Sequence, residues 1–463
     1  MLHWFLLPVW LCGLLITPDA IHWFRRQYDT FDPRALIGLL GVHFFFLAPL
    51  LFVLWDVPMM YVRNPDDWRP WLGITAVLNC SGLIMYQLSY RIKISAIERA
   101  TRTLWTIHSK RFWILLILFV LIGIAAQMYL LSQIGGFGHL SASQPARAHL
   151  FVGKGGLLML GEVVPILLFF ALTHWRQQLT QQHAFLITVI VALTGFFFCQ
   201  FFLAGLRGSR SATIVPLFWA AGIVHFLWRP LTPRLILMAL IPLMSFMVVY
   251  GFYKSLGSRA VDLLSGRATL QELQAEAPER GLVRTLFTDL SRVDTQAYLV
   301  YRLLTSPDQY QVALGRTYLG AISILIPRVV WPDRPPAKVK EGTELLYGKD
   351  TFRPGVFQSS RVYGLLGETL LNFHLVGVPF AFFIFGVLLA QLRRWMDGLP
   401  PGDARWLLVP FLIHLGVVTL VADMDNIVVT VVKNGFVPFF VVLLSAQRVR
   451  LPHGAASSNK GDP

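Results

Sequence analysis

The chain has 463 residues, 55% of them apolar and only 14% charged, with a formal net charge of +15. A soluble domain of this length would expose far more charge, so the composition excludes a soluble globular fold and predicts an all-α polytopic membrane protein. The surplus cations are spread over loops, which favours anionic lipid headgroups and an anionic substrate as partners and excludes nucleic acid.

Apolar runs near the ~20 residues needed to cross hydrocarbon begin at about Leu2, Ala35, Trp71, Phe112, Gly155, Ala184, Ser211, Leu235, Phe373, Trp406 and Asn426, which predicts about eleven transmembrane helices. The first run, Leu2 to Thr17, lacks a basic segment before it and reads as a retained helix, not a cleaved signal. Cys12, Cys80 and Cys199 lie inside apolar runs, where packing is the expected role. If the segments after helices one, three, five, seven, nine and eleven face the cytoplasm, they hold eighteen Lys/Arg, among them Arg25, Arg26, Arg34, Arg393 and Arg394. The opposite short loops hold six: Arg63, Arg69, Arg147, Lys154, Arg207 and Arg210. That bias predicts an outer N-terminus and an inner C-terminus. The expected organisation is helices one to eight in 1–253, a large outer loop over 254–361, helices nine to eleven in 362–450, and a disordered Gly/Ser/Pro/Lys-rich tail over 451–463. The chain shows no internal repeat of the kind that inverted-repeat transporters carry.

Arg207 and Arg210 sit in the short outer turn from Gly205 to Ser211. They either snorkel to lipid phosphates or, with the neighbouring glycine and serine, converge on one anion. Each charge-assisted hydrogen bond contributes roughly 1.5–3 kcal/mol, and several together would hold a pyrophosphate and stabilise it as a leaving group. Lys254, Arg259, Arg292, Arg328, Arg334, Arg353 and Arg361 are further candidate anion ligands. Glu162 in helix five and Lys433 in helix eleven read as structural ion-pair residues, Lys433 near Asp423 and Asp425.

The outer loop, Lys254–Arg361, carries fifteen Lys/Arg and eleven Asp/Glu. Apolar residues from Val283 through Phe287, Val293, Ala297 and Val300 to Leu304 recur at three-to-four spacing, predicting an amphipathic helix of about six turns at the membrane surface or under a lid. Asp294 falls on its apolar side and Arg292 on the other. Such a carboxylate either pairs with a neighbouring arginine or, partly desolvated, serves as a general base. Val312–Trp331 is apolar but carries Arg316, Pro327 and Arg328, which predicts a re-entrant or interfacial segment. The polar stretch Lys338–Arg353 reads as a mobile flap. Glu368 stands where the loop re-enters the bilayer, with Asn372 one turn on along the same face, and a carboxylate there is functional or paired. Motifs for nucleotide-binding loops, zinc proteases and serine hydrolases are absent, so the chemistry rests on arginines and carboxylates, without a metal site or cofactor.

Gly-Ser-Arg-Ser (208–211), Gly-Arg-Thr-Tyr (315–318), Ile-Pro-Arg-Val-Val-Trp-Pro-Asp-Arg-Pro (326–335) and the Gly-Glu…Asn segment (367–372) resemble the Wzy-type O-antigen and exopolysaccharide repeat-unit polymerases. The Ile-Pro-x-x-x-Trp-Pro-x-Arg-Pro run is closest to the enterobacterial-common-antigen branch, which lacks a carboxylate where Glu368 stands. The resemblance covers roughly residues 195–450. It implies a metal-independent glycosyltransferase of the bacterial inner membrane, moving a growing glycan from polyprenyl pyrophosphate to a lipid-linked repeat unit on the periplasmic face. It also implies the polyprenyl-pyrophosphate-linked oligosaccharide, membrane lipids and a chain-length regulator as partners. On that expectation Arg207, Arg210, Arg328 and Arg353 neutralise the donor pyrophosphate, Arg210 acting in catalysis, and Asp294 or Glu368 deprotonates the acceptor hydroxyl. Three other readings are open: a ligase using the same donor, a flippase of lipid-linked glycan, and a non-catalytic scaffold.

Overall fold

The computed structural model describes residues 3–57, 64–92, 103–136, 154–176, 185–207, 209–257, 261–277, 286–287, 290–326, 329–353 and 361–450. Ten helices among them are long and apolar enough to cross a membrane: α1 (Leu6–Phe24), α2 (Pro33–Leu54), α3 (Arg69–Ser89), α4 (Ser109–Ile134), α5 (Gly155–Arg176), α6 (Ile187–Arg207), α7 (Ser211–Trp228), α8 (Pro233–Leu256), α12 (Gly364–Asp397) and α14 (Met424–Ser445). Between α8 and α12 lie α9 (Val293–Thr305), α10 (Arg316–Ser323) and α11 (Lys338–Tyr347). The protein is thus an all-α, multi-pass membrane protein. The tenth of the eleven predicted runs, near Trp406, folds as α13 (Val409–Val418). Ten residues rise only about 15 Å, half the hydrocarbon thickness, so α13 does not span by itself.

The chain forms two compact units and visits each three times. Unit one comprises Met1–Lys93, Leu282–Gln391 and Leu415–Val429; unit two comprises Ile94–Gly281, Leu392–His414 and Thr430–Pro463.

In unit one, Pro33 occupies the first turn of α2, and the Asp32 carboxylate caps it by accepting from the backbone N–H of Arg34 at 2.9 Å and of Ala35 at 3.2 Å. Gly38 lets α1 come close, since a Cβ there would stand 2.7 Å from the Ala20 nitrogen. The buried thiols of Cys12 and Cys80 meet at 3.1 Å between α1 and α3.

Three expectations for the outer loop are corrected or narrowed here. A single helix running from Val283 to Leu304 is excluded at Arg292, which is left-handed (φ 56°), so that α9 begins only at Val293; Val283 itself lies outside the described residues. A left-handed residue breaks the run of helical hydrogen bonds that periodicity alone assumes. Of the two placements expected for this helix, at a surface or beneath a cover, burial of ten of the thirteen residues of α9, Asp294 and Gln296 included, excludes the first. Its aromatic side packs on the start of α3, Tyr301 with its ring centroid 5.0 Å from that of Trp71. The stretch predicted as a mobile flap contains α11, with Lys338, Glu341, Thr343, Leu345 and Leu346 buried. α10 is eight residues long and exposes Leu319 and Ile322.

α12 starts at Gly364, nine residues before the predicted Phe373, and is broken at His374 (φ 58°, ψ −162°). The break makes two pieces, 364–373 and 375–397.

Unit two packs α4 on α5 through Gly123, whose added Cβ would stand 2.6 Å from the Leu160 carbonyl oxygen. Gln200 of α6 donates to the Ala212 carbonyl of α7 at 2.8 Å. An antiparallel pair, β1 (Thr103–Ile107) and β2 (Ala446–Arg450), lies in the same unit. Arg405 secures it, donating to Asp403 and to the Thr103 carbonyl, each at 2.7 Å. The middle of α14, Val431–Gly435, is a π-turn.

Candidate functional site

The richest cluster of buried polar side chains lies in unit one, where the first piece of α12 meets α9, α10, α11 and the turn before α14. Glu368 and Asn372 stand four residues apart, so both face α10. Glu368 is 3% exposed. Its Oε1 accepts the Thr317 hydroxyl at 2.9 Å and its Oε2 accepts the Met424 N–H at 2.6 Å. Asn372 donates through Nδ2 to Thr317 Oγ1 at 2.6 Å, while its Oδ1 accepts the Gly315 N–H at 3.0 Å. The Thr317 hydroxyl therefore takes one hydrogen bond and passes one on, and the Gly-Arg-Thr-Tyr and Gly-Glu…Asn motifs meet at this hydroxyl. Tyr318 packs alongside, its hydroxyl 3.4 Å from Thr369 Oγ1. Burial, then the nearby Glu368 charge, pushes that phenol up to about 12, so it stays protonated at neutral pH.

A second carboxylate holds the start of α12. Asp423 Oδ1 accepts the N–H groups of Tyr363 and Gly364 at 2.8 and 2.9 Å, and Oδ2 pairs with Lys338 Nζ at 2.5 Å. Lys338 also donates to the Arg361 carbonyl and lies over the Tyr363 ring. This pairing corrects the one expected between Asp423 and Lys433. Lys433 lies ten residues along α14, about 15 Å of rise away, and pairs instead with Glu162.

Asp294 lies near the start of α9, its side chain 4% exposed, and its Oδ2 meets Arg361 Nη1 at 3.3 Å. The Arg361 side chain is 25% exposed. Arg316 donates from Nε and Nη2 to the buried Glu341 at 2.8 and 2.6 Å. Burial raises the Glu344 carboxyl on the same helix as Glu341.

Two further candidate cations bind backbone carbonyls. Arg292 holds the loop by donating to the Val421 carbonyl at 3.4 Å. Arg334 donates to the Ser323 and Ile326 carbonyls at 2.8 and 2.9 Å, capping α10. Arg353 is exposed, whereas Arg259 and Arg328 lie outside the described residues. Arg207, Arg210 and Lys254 belong to unit two. There Arg207 pairs with Glu162 at 2.9 Å, Arg210 holds the N-cap position of α7, and Lys254 is in the last turn of α8.

Sequence reasoning had singled out Asp294, Glu368, Asn372 and Arg361. It passed over Thr317, Lys338 and Glu341 as chemistry-bearing groups. Thr317 carried a legible signal, standing inside a quoted motif. Lys338 carried none, because its partner Asp423 is 85 residues away.

No group of three or more His, Cys, Asp or Glu able to hold a metal ion occurs among the described residues. The arrangement can accept a proton at the buried Asp294 carboxylate on α9 and present the Arg361 guanidinium, just before α12, to an anion. No family model, curated protein or solved structure matches the chain.

Proposed function

We propose that the chain is a membrane glycosyltransferase that joins lipid-linked saccharide repeat units on the periplasmic face of a bacterial inner membrane. The eighteen-to-six bias of Lys/Arg between alternate loops supports an outer N-terminus and, with α13 and its flanking residues making an eleventh crossing, an inner C-terminus. The observation that carries the reading is the Asp294–Arg361 pair: a buried carboxylate held by a guanidinium that still reaches solvent.

A donor pyrophosphate arriving at Arg361 competes with Asp294 for the guanidinium and frees the carboxylate to accept a proton. The acceptor hydroxyl oxygen then bonds to the donor's anomeric carbon. The bond from that carbon to the pyrophosphate oxygen breaks, its electron pair leaves with the pyrophosphate, and the hydroxyl proton passes to Asp294. Glu368 has both oxygens engaged by Thr317 and Met424, which supports a positioning role for it.

Gene deletion followed by sizing of carrier-linked saccharides tests the proposal. Single repeat units should accumulate, and complementation with Asp294→Asn or Arg361→Ala should not restore polymer. Long carrier-linked polymer after deletion would overturn the reading in favour of a ligase. Repeats retained on the cytoplasmic leaflet would do so in favour of a flippase.

A further inference from the structure

Unit two buries a different kind of charge cluster. Glu162, at the end of the first stretch of α5, is 4% exposed in its side chain and binds two cations at once. Arg207 Nη1 reaches its Oε1 at 2.9 Å, and Lys433, carried on the π-turn of α14, reaches its Oε2. Arg207 also donates to the buried Gln127 of α4 through Nη2. The turn bearing Arg207 is pinned from α8, where the Tyr250 and Tyr253 hydroxyls donate to the Gly205 and Leu206 carbonyls.

One carboxylate against two cations leaves a formal charge of +1 among helices that cross the membrane. No further carboxylate meets the cluster among the described residues, and an uncompensated charge in that setting costs several kcal/mol. Hydrogen bonding is as unbalanced as charge. The guanidinium, the ammonium and the amide of Gln127 carry ten N–H bonds between them. Three of these are met among the described residues, and the Gln127 Nε2, in a side chain 5% exposed, meets no acceptor. The cluster has donors and positive charge to spare, and the Lys433 side chain is 21% exposed.

We infer that unit two contains an anion site for a phosphate-bearing ligand, with Arg207, Lys433 and Gln127 as donors and Glu162 holding the cations in place while the site is empty. Charge and donor count match a phosphate or pyrophosphate, whose oxygens accept several such bonds. The ligand is either a free anion or a lipid headgroup. The test of this site is independent of the saccharide-joining reaction, because binding is read directly and requires no turnover.

The test uses the full-length protein and thermal unfolding. One arm titrates inorganic pyrophosphate into protein held in neutral phosphatidylcholine nanodiscs; the other uses nanodiscs containing polyprenyl phosphate and no free phosphate. A saturable rise in Tm in the first arm assigns a free anion, and a rise in the second alone assigns a headgroup. Lys433→Met removes the surplus cation and keeps the Glu162–Arg207 pair, so its ligand-free Tm should match or exceed the wild type while affinity falls at least tenfold. Glu162→Gln should tighten pyrophosphate binding, at a lower ligand-free Tm. No saturable shift in either arm, or wild-type affinity in Lys433→Met, overturns the site. If Lys433→Met lowers the ligand-free Tm and leaves binding unchanged, the cluster is a structural ion pair only.

Discussion

In unit one, Asp294, Glu341 and Asp423 meet Arg361, Arg316 and Lys338 respectively, whereas in unit two the Glu162 carboxylate serves Arg207 and Lys433 together. Unit one further spends its carboxylates on backbone N–H groups, those of Tyr363, Gly364 and Met424. Unit two instead keeps donors in reserve. The contrast separates two tasks that one arginine-rich cluster had been expected to perform. Acid–base work belongs where carboxylates at least match cations and geometry is braced by the backbone. Affinity for an anion belongs where positive charge exceeds negative.

The comparison breaks most visibly at Asp423. Asp423→Ala strands the buried Lys338 ammonium and uncaps α12, and should cost about 3–5 kcal/mol in chemical unfolding of the detergent-solubilised protein. Adding Lys338→Met should recover a large part of that loss; no recovery would mean that the caps, not the charge pair, dominate. Asp294→Asn is next. It should lower polymer formation by roughly 10²–10⁴-fold at normal protein level, and normal polymer would remove Asp294 from the chemistry. Thr317→Val cuts the hydroxyl link between Asn372 and Glu368 while keeping shape, with an expected loss of about 1–3 kcal/mol. The smallest effect belongs to Arg334→Ala, about 0.5–1.5 kcal/mol from lost capping of α10, with polymer length unchanged. Shortened polymer there would return Arg334 to the anion ligands.

Much of this was legible in the sequence, and the failures have a common physical origin. Span positions follow from apolar length, which is local. So does the pairing of Glu368 with Asn372 on one helix face. The π-turn under Lys433 and the left-handed Arg292 and His374 leave no such mark, because tertiary packing imposes them on residues with no strong preference for those conformations. Lys338 looked like flap polarity for the same reason: a buried ammonium is recognisable only from its distant carboxylate. Arg207 was expected to face an incoming anion, yet Glu162, 45 residues earlier in the chain, already holds it. Charge counting within loops does not reveal which cation an apolar-looking helix has claimed.

The interruption at His374 has a consequence for how the protein tolerates an acid in a lipid-length helix. Residues 375–397 alone rise about 35 Å at 1.5 Å each, enough to cover a hydrocarbon layer of about 30 Å. The preceding turns, with Glu368 and Asn372, are surplus to the crossing and can ride outboard of it. Bilayer thickness is then matched by the lower rod, leaving the carboxylate's tethers to Thr317 and Met424 undisturbed.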